Sequence, residues 1–337
     1  MKHVVFFSGG AGSFAATKRV IKSGVSVDDL HLLFTDTMIE DKELYRFMID
    51  ALEHIYNVDL SSAKGMVSNL ANTEDNQSLR KDQLLEIQDF VNKSVPNMHW
   101  LRYEVDDVGI DPWDIFYNDL FIGNSRIANC SKIIKQRLAR DYIRDNFEKD
   151  ETAVYLGIDW DESHRKAAPT KNWLRYASSV NFPMCDAPYL LKNDIIKTIQ
   201  LCDIRIPTPY LEGQPHLNCG SFCVRGGQGH FARLYQSNPK LYDYHATKER
   251  NLADTIREKN KTDEKYSILK QSRNNEVYSI TLDDLREQIE GRKDNIDMFE
   301  IGGCGCFVTD DNPDDIDEEV LDKWGMKDLR VVKFKGV

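Results

Sequence analysis

Lys2-His3-Val4-Val5-Phe6-Phe7-Ser8-Gly9-Gly10-Ala11-Gly12-Ser13 opens the chain, and its reading decides the fold. The unbroken apolar run at 4–7 fits a strand of a parallel sheet buried on both faces. Glycines follow at once, and then an amphipathic stretch. A strand, a glycine-rich turn and a helix together make a natural holder for phosphate. Glycine lets the backbone approach the anion, and the N–H groups at the helix start point at it. The spacing is neither G-x-x-x-x-G-K-[ST] nor G-x-G-x-x-G but S-G-G-x-x-S. Alone, such a stretch reads as readily as a plain turn. Its meaning comes from the segments downstream.

Strand and helix signals alternate through the first half. A helix is expected over 14–23, closed by Gly24 as C-cap. A second strand follows at 30–34, ending in Thr35-Asp36-Thr37. Leu44, Phe47, Met48, Ala51, Leu52 and Ile55 form one helical stripe, with Asp41 and Glu43 at its dipole-favoured start. Residues 61–97 are polar and read as an insertion carrying one helix, about 79–92. Strand character returns at 100–105. Ile134, Leu138 and Tyr142, with Ala139, Ile143 and Phe147, make a helix after Cys130, and 153–158 is another buried strand. The pattern predicts an α/β fold with a doubly wound, mostly parallel sheet, which binds ligands at the carboxyl ends of its strands. After Pro207, Gly, Pro and Cys become frequent. The expected division is a nucleotide-binding domain at 1–206 and a cysteine-containing, partly helical C-terminal subdomain at 207–337.

Composition sets limits on function. The chain has 337 residues, 41% hydrophobic and 29% charged, ordinary values for a soluble protein. No apolar run reaches the length of a membrane span, and the first strand leaves no room for a leader peptide, so a cytoplasmic location without membrane contact is expected. A net charge of −11 argues against electrostatic coating of nucleic acid, though a local basic site for one element stays open. Much of the acid lies at 309–319 and reads as a solvated loop. With seven cysteines in such a compartment, metal or redox chemistry is a better default than disulfides. Cys130, Cys185 and Cys202 are isolated; Cys219/Cys223 and Cys304/Cys306 are close pairs.

The loop resembles the PP-loop of the ATP pyrophosphatases and of the related phosphoadenosine-phosphosulfate (PAPS) reductases, the adenine nucleotide alpha-hydrolase superfamily. Further segments resemble the reductase-like branch, in its order: Leu33-Phe34-Thr35-Asp36-Thr37, Asn129-Cys130-Ser131 followed by Lys135, Gly157-Ile158-Asp159-Trp160-Asp161-Glu162-Ser163, and Ala187-Pro188-Tyr189 followed by Asn193-Asp194-Ile195. The resemblance implies that Ser8, Gly9, Gly10, Gly12 and Ser13 hold phosphates of ATP or PAPS with Mg²⁺. It places Asp36 and Thr37 near the adenosine and Gly157 and Glu162 at the nucleotide. Ser13, Lys135 and Arg165 become candidate catalytic residues, the last two as cations near the phosphates. Three departures stand out. Gly12 replaces the usual aspartate of the loop, Asp159 stands in an arginine place, and the E-C-G-[IL]-H tail of the thioredoxin-dependent reductases is missing.

His216-Leu217-Asn218-Cys219-Gly220-Ser221-Phe222-Cys223 and Gly302-Gly303-Cys304-Gly305-Cys306 are the densest cysteine motifs. They resemble a PAPS-reductase-like group of phage and bacterial genomes. Cys219, Cys223, Cys304 and Cys306 supply four thiols, enough for Zn²⁺ or a [4Fe–4S] cluster, with Cys130 or His216 as substitutes. Redox-active or plain structural thiols are the alternatives.

The leading expectation is an enzyme that cleaves ATP between the α and β phosphates and adenylates an acceptor, a nucleic acid or a small molecule, for sulfur delivered by a donor protein. A sulfonucleotide reductase and a nucleotide-binding sensor without catalysis are the alternatives. A homo-oligomer stays open.

Overall fold

The computed structural model describes residues 1–214, 216–273 and 276–291. Its centre is a five-stranded, all-parallel sheet. In chain order the first half runs β1 (Lys2–Phe6), α1 (Ala11–Lys22), β2 (Leu30–Thr35), α2 (Lys42–Tyr56), α3 (Ser61–Ser68), α4 (Thr73–Ser94) and β3 (Met98–Leu101). A small hairpin of β4 (Glu104–Val105) and β5 (Val108–Gly109) follows, then α5 (Pro112–Asp119), a π-helical stretch Ser131–Arg137, α6 (Leu138–Asn146), β6 (Thr152–Tyr155), α7 (Ala167–Trp173) and β7 (Ser179–Asn181). The strand order is β3-β2-β1-β6-β7, which is compatible with a doubly wound fold. β1 pairs with β2 on one side (Val4 opposite His31) and with β6 on the other (Val4 opposite Val154). The winding direction therefore reverses between β1 and β6, and the loops that leave these two strands diverge there.

Alternation along β1 sets the two faces of the core. Val5 and Phe7 face a cluster with Leu32, Phe34, Phe14, Phe47 and Leu52, under α1, α2 and α4. Val4 and Phe6 face the other way, toward Leu33, Val154, Trp113, Leu138 and the second-half residues Phe222, Phe231 and Tyr242. The second half comprises α8 (Lys192–Leu201), α9 (Thr208–Leu211), α10 (Gln228–Ser237), α11 (Pro239–Asn260), the hairpin β8 (Leu269–Arg273) and β9 (Glu276–Ile280), and α12 (Leu282–Glu290). From Cys219 to Leu285 the second half thus packs into the cluster around Val4 and Phe6, whereas Ile195, Ile199, Tyr210 and Leu217 join the one around Val5 and Phe7.

Two expectations need correction. The polar segment 61–97 lies in the crossover that brings β3 parallel to β2, with Leu32 opposite Met98. It carries two helices rather than one. Its polarity misled because α4 buries Arg80, Lys81 and Gln88, each bonded to a partner inside the fold. The edge strand β7 was not anticipated, because Ser179–Asn181 is only three residues long and half-buried. Among the described residues no helix is long and apolar enough to cross a membrane.

Candidate functional site

The glycine loop lies at the carboxyl end of β1. Gly9 has φ +72°, and a Cβ there would lie 2.7 Å from Leu44, so both conformation and space require glycine. Gly10 is the extended residue that starts α1, and no acidic side chain sits in that helix's first turn. The hydroxyl of Ser8 donates to that of Ser13 (3.3 Å), which donates to the Gly10 carbonyl (2.9 Å). The Ala11 N–H, at the positive end of the helix, donates to the hydroxyl of Tyr210 at 3.1 Å. Gly157, after β6, packs on this turn: a Cβ would stand 3.5 Å from the Gly12 carbonyl oxygen and the Ser13 Cα. The fold therefore unites Ser8, Gly9, Gly10, Gly12, Ser13 and Gly157.

Asp159 follows two residues later. Its Oδ1 is buried and has no partner among the described residues. Burial, with Asp161 and Glu162 nearby, raises its carboxyl to about 6. Arg165 lies on the short turn Trp160–Lys166 and pairs with Glu162.

The carboxyl end of β2 is built differently from expectation. Asp36 is fully buried, and its carboxylate accepts from the Met38 N–H (2.8 Å), the Tyr45 hydroxyl (2.8 Å), the Gln88 amide (2.8 Å) and the Trp100 indole (2.9 Å). Four donors fill the lone pairs a carboxylate offers. This side chain is an internal hub, not a group presented to a ligand. Thr37 donates to Glu40 (2.9 Å).

Glu40 was not picked out from sequence, yet it links the two halves of the site. It is buried, and burial pushes its carboxyl up while Lys135 pulls it down. It accepts from the Lys135 ammonium at 3.3 Å and from the backbone N–H of Cys219. Lys135, carried on the π-helical stretch, is thereby charge-paired inside the protein.

Thr37, Cys130, Lys135, Cys219 and Cys223 line one cavity of about 20 Å³, room for about one water. The cysteine turn reaches it through an unusual backbone: Cys219, Gly220 and Ser221 all have left-handed φ values, 54°, 57° and 63°. A Cβ on Gly220 would lie 2.3 Å from the Ile39 carbonyl oxygen. The Cys219 thiol is hydrogen-bonded to Cys223, and that bond plus burial hold it far above the usual thiol range. It is protonated in this state, hence a poor nucleophile.

His216 stacks on His230, with ring centroids 5.2 Å apart. Burial holds both imidazoles neutral, His216 down to about 3 and His230 to about 4. Cys304 and Cys306 lie outside the described residues. Among the described residues, no group of three or more His, Cys, Asp or Glu side chains is placed to hold a metal ion.

Sequence patterns missed Glu40 and Tyr210 for different reasons. Glu40 follows the T-D-T turn closely, but nothing local separates it from a solvated glutamate. Tyr210 reaches the loop from 199 residues away, which no local pattern records. No family model, no curated protein and no solved structure matches the chain.

Proposed function

We propose that the protein is a nucleotide alpha-hydrolase-type enzyme that cleaves ATP between its α and β phosphates and passes AMP to an acceptor oxygen. The observation that carries this reading is the meeting of the 8–13 loop and Gly157 at the reversal of strand order between β1 and β6. In the reaction the acceptor oxygen bonds to the α phosphorus as the bond to the bridging oxygen breaks, and the electron pair leaves with pyrophosphate. The N–H groups at the start of α1 would stabilise that leaving charge. With glycine at position 12, Asp159, two residues after the loop-packed Gly157, is the carboxylate this reading assigns to a nucleotide-borne Mg²⁺. An orphaned, partly protonated carboxyl is stabilised as the anion by an arriving cation. Asp36 has no direct part in this reading, and Lys135 acts through Glu40 and the cysteine turn.

The Gly302-Gly303-Cys304-Gly305-Cys306 motif favours a second reading, sulfonucleotide reduction with Cys304 or Cys306 as the attacking thiol. There a thiolate attacks the sulfur of PAPS and the nucleotide leaves. A second thiol then releases sulfite and closes a disulfide, so the two thiols supply both electrons. Product analysis separates the readings. Purified protein given ATP and Mg²⁺ should yield AMP and pyrophosphate, faster once an acceptor is supplied. Sulfite from PAPS, with no AMP from ATP, would replace the first reading by the second. Binding without turnover of either would leave a sensor.

A further inference from the structure

Resting on the nucleotide reading, we infer that Lys192 and Tyr210 complete the anion site: Lys192 is its cation, and the Tyr210 hydroxyl fills a phosphate-oxygen position until an anion displaces it. The first observation is the Tyr210 hydroxyl itself. It accepts the Ala11 N–H at 3.1 Å and stands 3.1 Å from where a Cβ of Gly10 would be. A neutral phenol oxygen thus occupies the spot where the loop and the helix dipole favour negative charge. A phosphate oxygen makes a charge-assisted bond to the same N–H, roughly twice as strong as a neutral one, so it wins the exchange.

The second observation is the position of the cations. Lys135 is committed to the buried Glu40 (3.3 Å), and Arg165 is paired with Glu162. Neither therefore brings an uncompensated charge. Lys192, the first residue of α8, instead places its ammonium 5.5 Å from the centre of the Tyr210 ring, a cation–π contact at the edge of the loop. Its positive charge is felt as far as His216. Desolvation and the neighbouring Arg233 make that ammonium less stable than in water, a deficit an anion relieves. When Tyr210 yields, the same lysine is left beside the vacated position.

Tyr210 also ties the loop to the rest of the site. It lies on α9, and the chain runs from there within eight residues to the left-handed Cys219 turn. Thr208 on the same helix donates its N–H to Glu43 of α2 at 3.2 Å.

The test is calorimetric titration of the full chain with inorganic pyrophosphate, for wild type, Lys192→Gln, Lys192→Arg, Tyr210→Phe and, as control, Lys197→Gln on the same helix. Lys192→Gln should weaken binding about tenfold or more, close to 1.4 kcal/mol. Lys192→Arg should retain most of it. Tyr210→Phe keeps the ring but removes the competing oxygen, and should tighten binding about threefold or more. Lys197→Gln should bind as wild type. Thermal unfolding of each variant confirms that it is folded. Wild-type affinity in Lys192→Gln, or equal or weaker binding in Tyr210→Phe, overturns this inference and leaves the nucleotide reading standing. If no protein in the set binds pyrophosphate or ATP, the nucleotide reading falls and takes the inference with it.

Discussion

Gly220 and Gly12 show how differently two glycines of one site can be used. Gly220 combines a left-handed φ with an approach to the Ile39 carbonyl that leaves no room for a Cβ. Gly220→Ala should therefore cost about 2 kcal/mol or more, measured as a lowered urea midpoint at unchanged slope. Gly12 meets nothing within 4 Å and sits in the first turn of α1. Gly12→Ala should leave stability unchanged or raise it by up to about 1 kcal/mol. Asp36 is the opposite case, a residue whose apparent role is reassigned by its bonds. Asp36→Ala would strand the Tyr45 hydroxyl, the Gln88 amide and the Trp100 indole in the core. Each orphaned group costs about 1–3 kcal/mol, so a loss of about 3 kcal/mol or more is expected by the same measurement. A loss under 1 kcal/mol would contradict the hub.

Between elements, β2 and β3 are joined by more than their backbone ladder. His31 and His99 share a hydrogen bond of 2.9 Å, and His99 shares another of 2.8 Å with Tyr142 on α6. Burial holds both rings neutral, His31 down to about 4 and His99 to about 3. The unfolded chain protonates them near their ordinary 6.5. Below that pH the unfolded state binds more protons, so this contribution is complete above 6.5 and is lost as pH falls toward 4. Unfolding midpoints at pH 7.5, 6.5 and 5.5 should decline, and less steeply in His31→Gln/His99→Gln. An unchanged slope in the double variant would remove the pair from the account. In the residual slope His216, His230 and His245, which burial also keeps neutral, act in the same direction. The buried carboxyls of Glu249 and Asp159, held up to about 7 and about 6, oppose them. At the site the comparable element is the π-helical stretch Ser131–Arg137, which carries Ser131 and Lys135 to the cysteine cavity. Wider helical turns of this kind are rare and gather at functional sites.

For the molecule as a whole, the second half belongs to the sheet's own core. Trp113 of α5 stacks on Phe222 (5.2 Å) and donates its indole N–H to His245 of α11 at 3.0 Å. Phe222 in turn stacks on His245 at 3.6 Å. A chain cut after residue 206 would bare this face of Leu33, Trp113, Phe116 and Leu138. It should lose cooperative unfolding and bind a hydrophobic dye, whereas an independent domain at 1–206 would unfold in one sharp step.

How much of this was legible beforehand depends on the range of the interactions. Local signals carried β1, β2, α1 and α2, because the apolar run at 4–7, the helical stripe from Leu44 to Ile55 and the glycines at 9 and 10 state their backbone preferences within a few residues. The α/β class and the placing of the loop at a strand's carboxyl end follow from those elements alone. Long-range contacts decided the rest. Polar α4 is a helix of the core because Arg80, Lys81 and Gln88 find partners there. Asp36 turned inward because four donors from separate segments converge on it. Glu40 joined Lys135 to Cys219, and Tyr210 came to rest on the Ala11 N–H. Local patterns record what a residue prefers. Only closure of the sheet and its covering helices determines which buried charge meets which partner, since an unpaired one is too costly to remain.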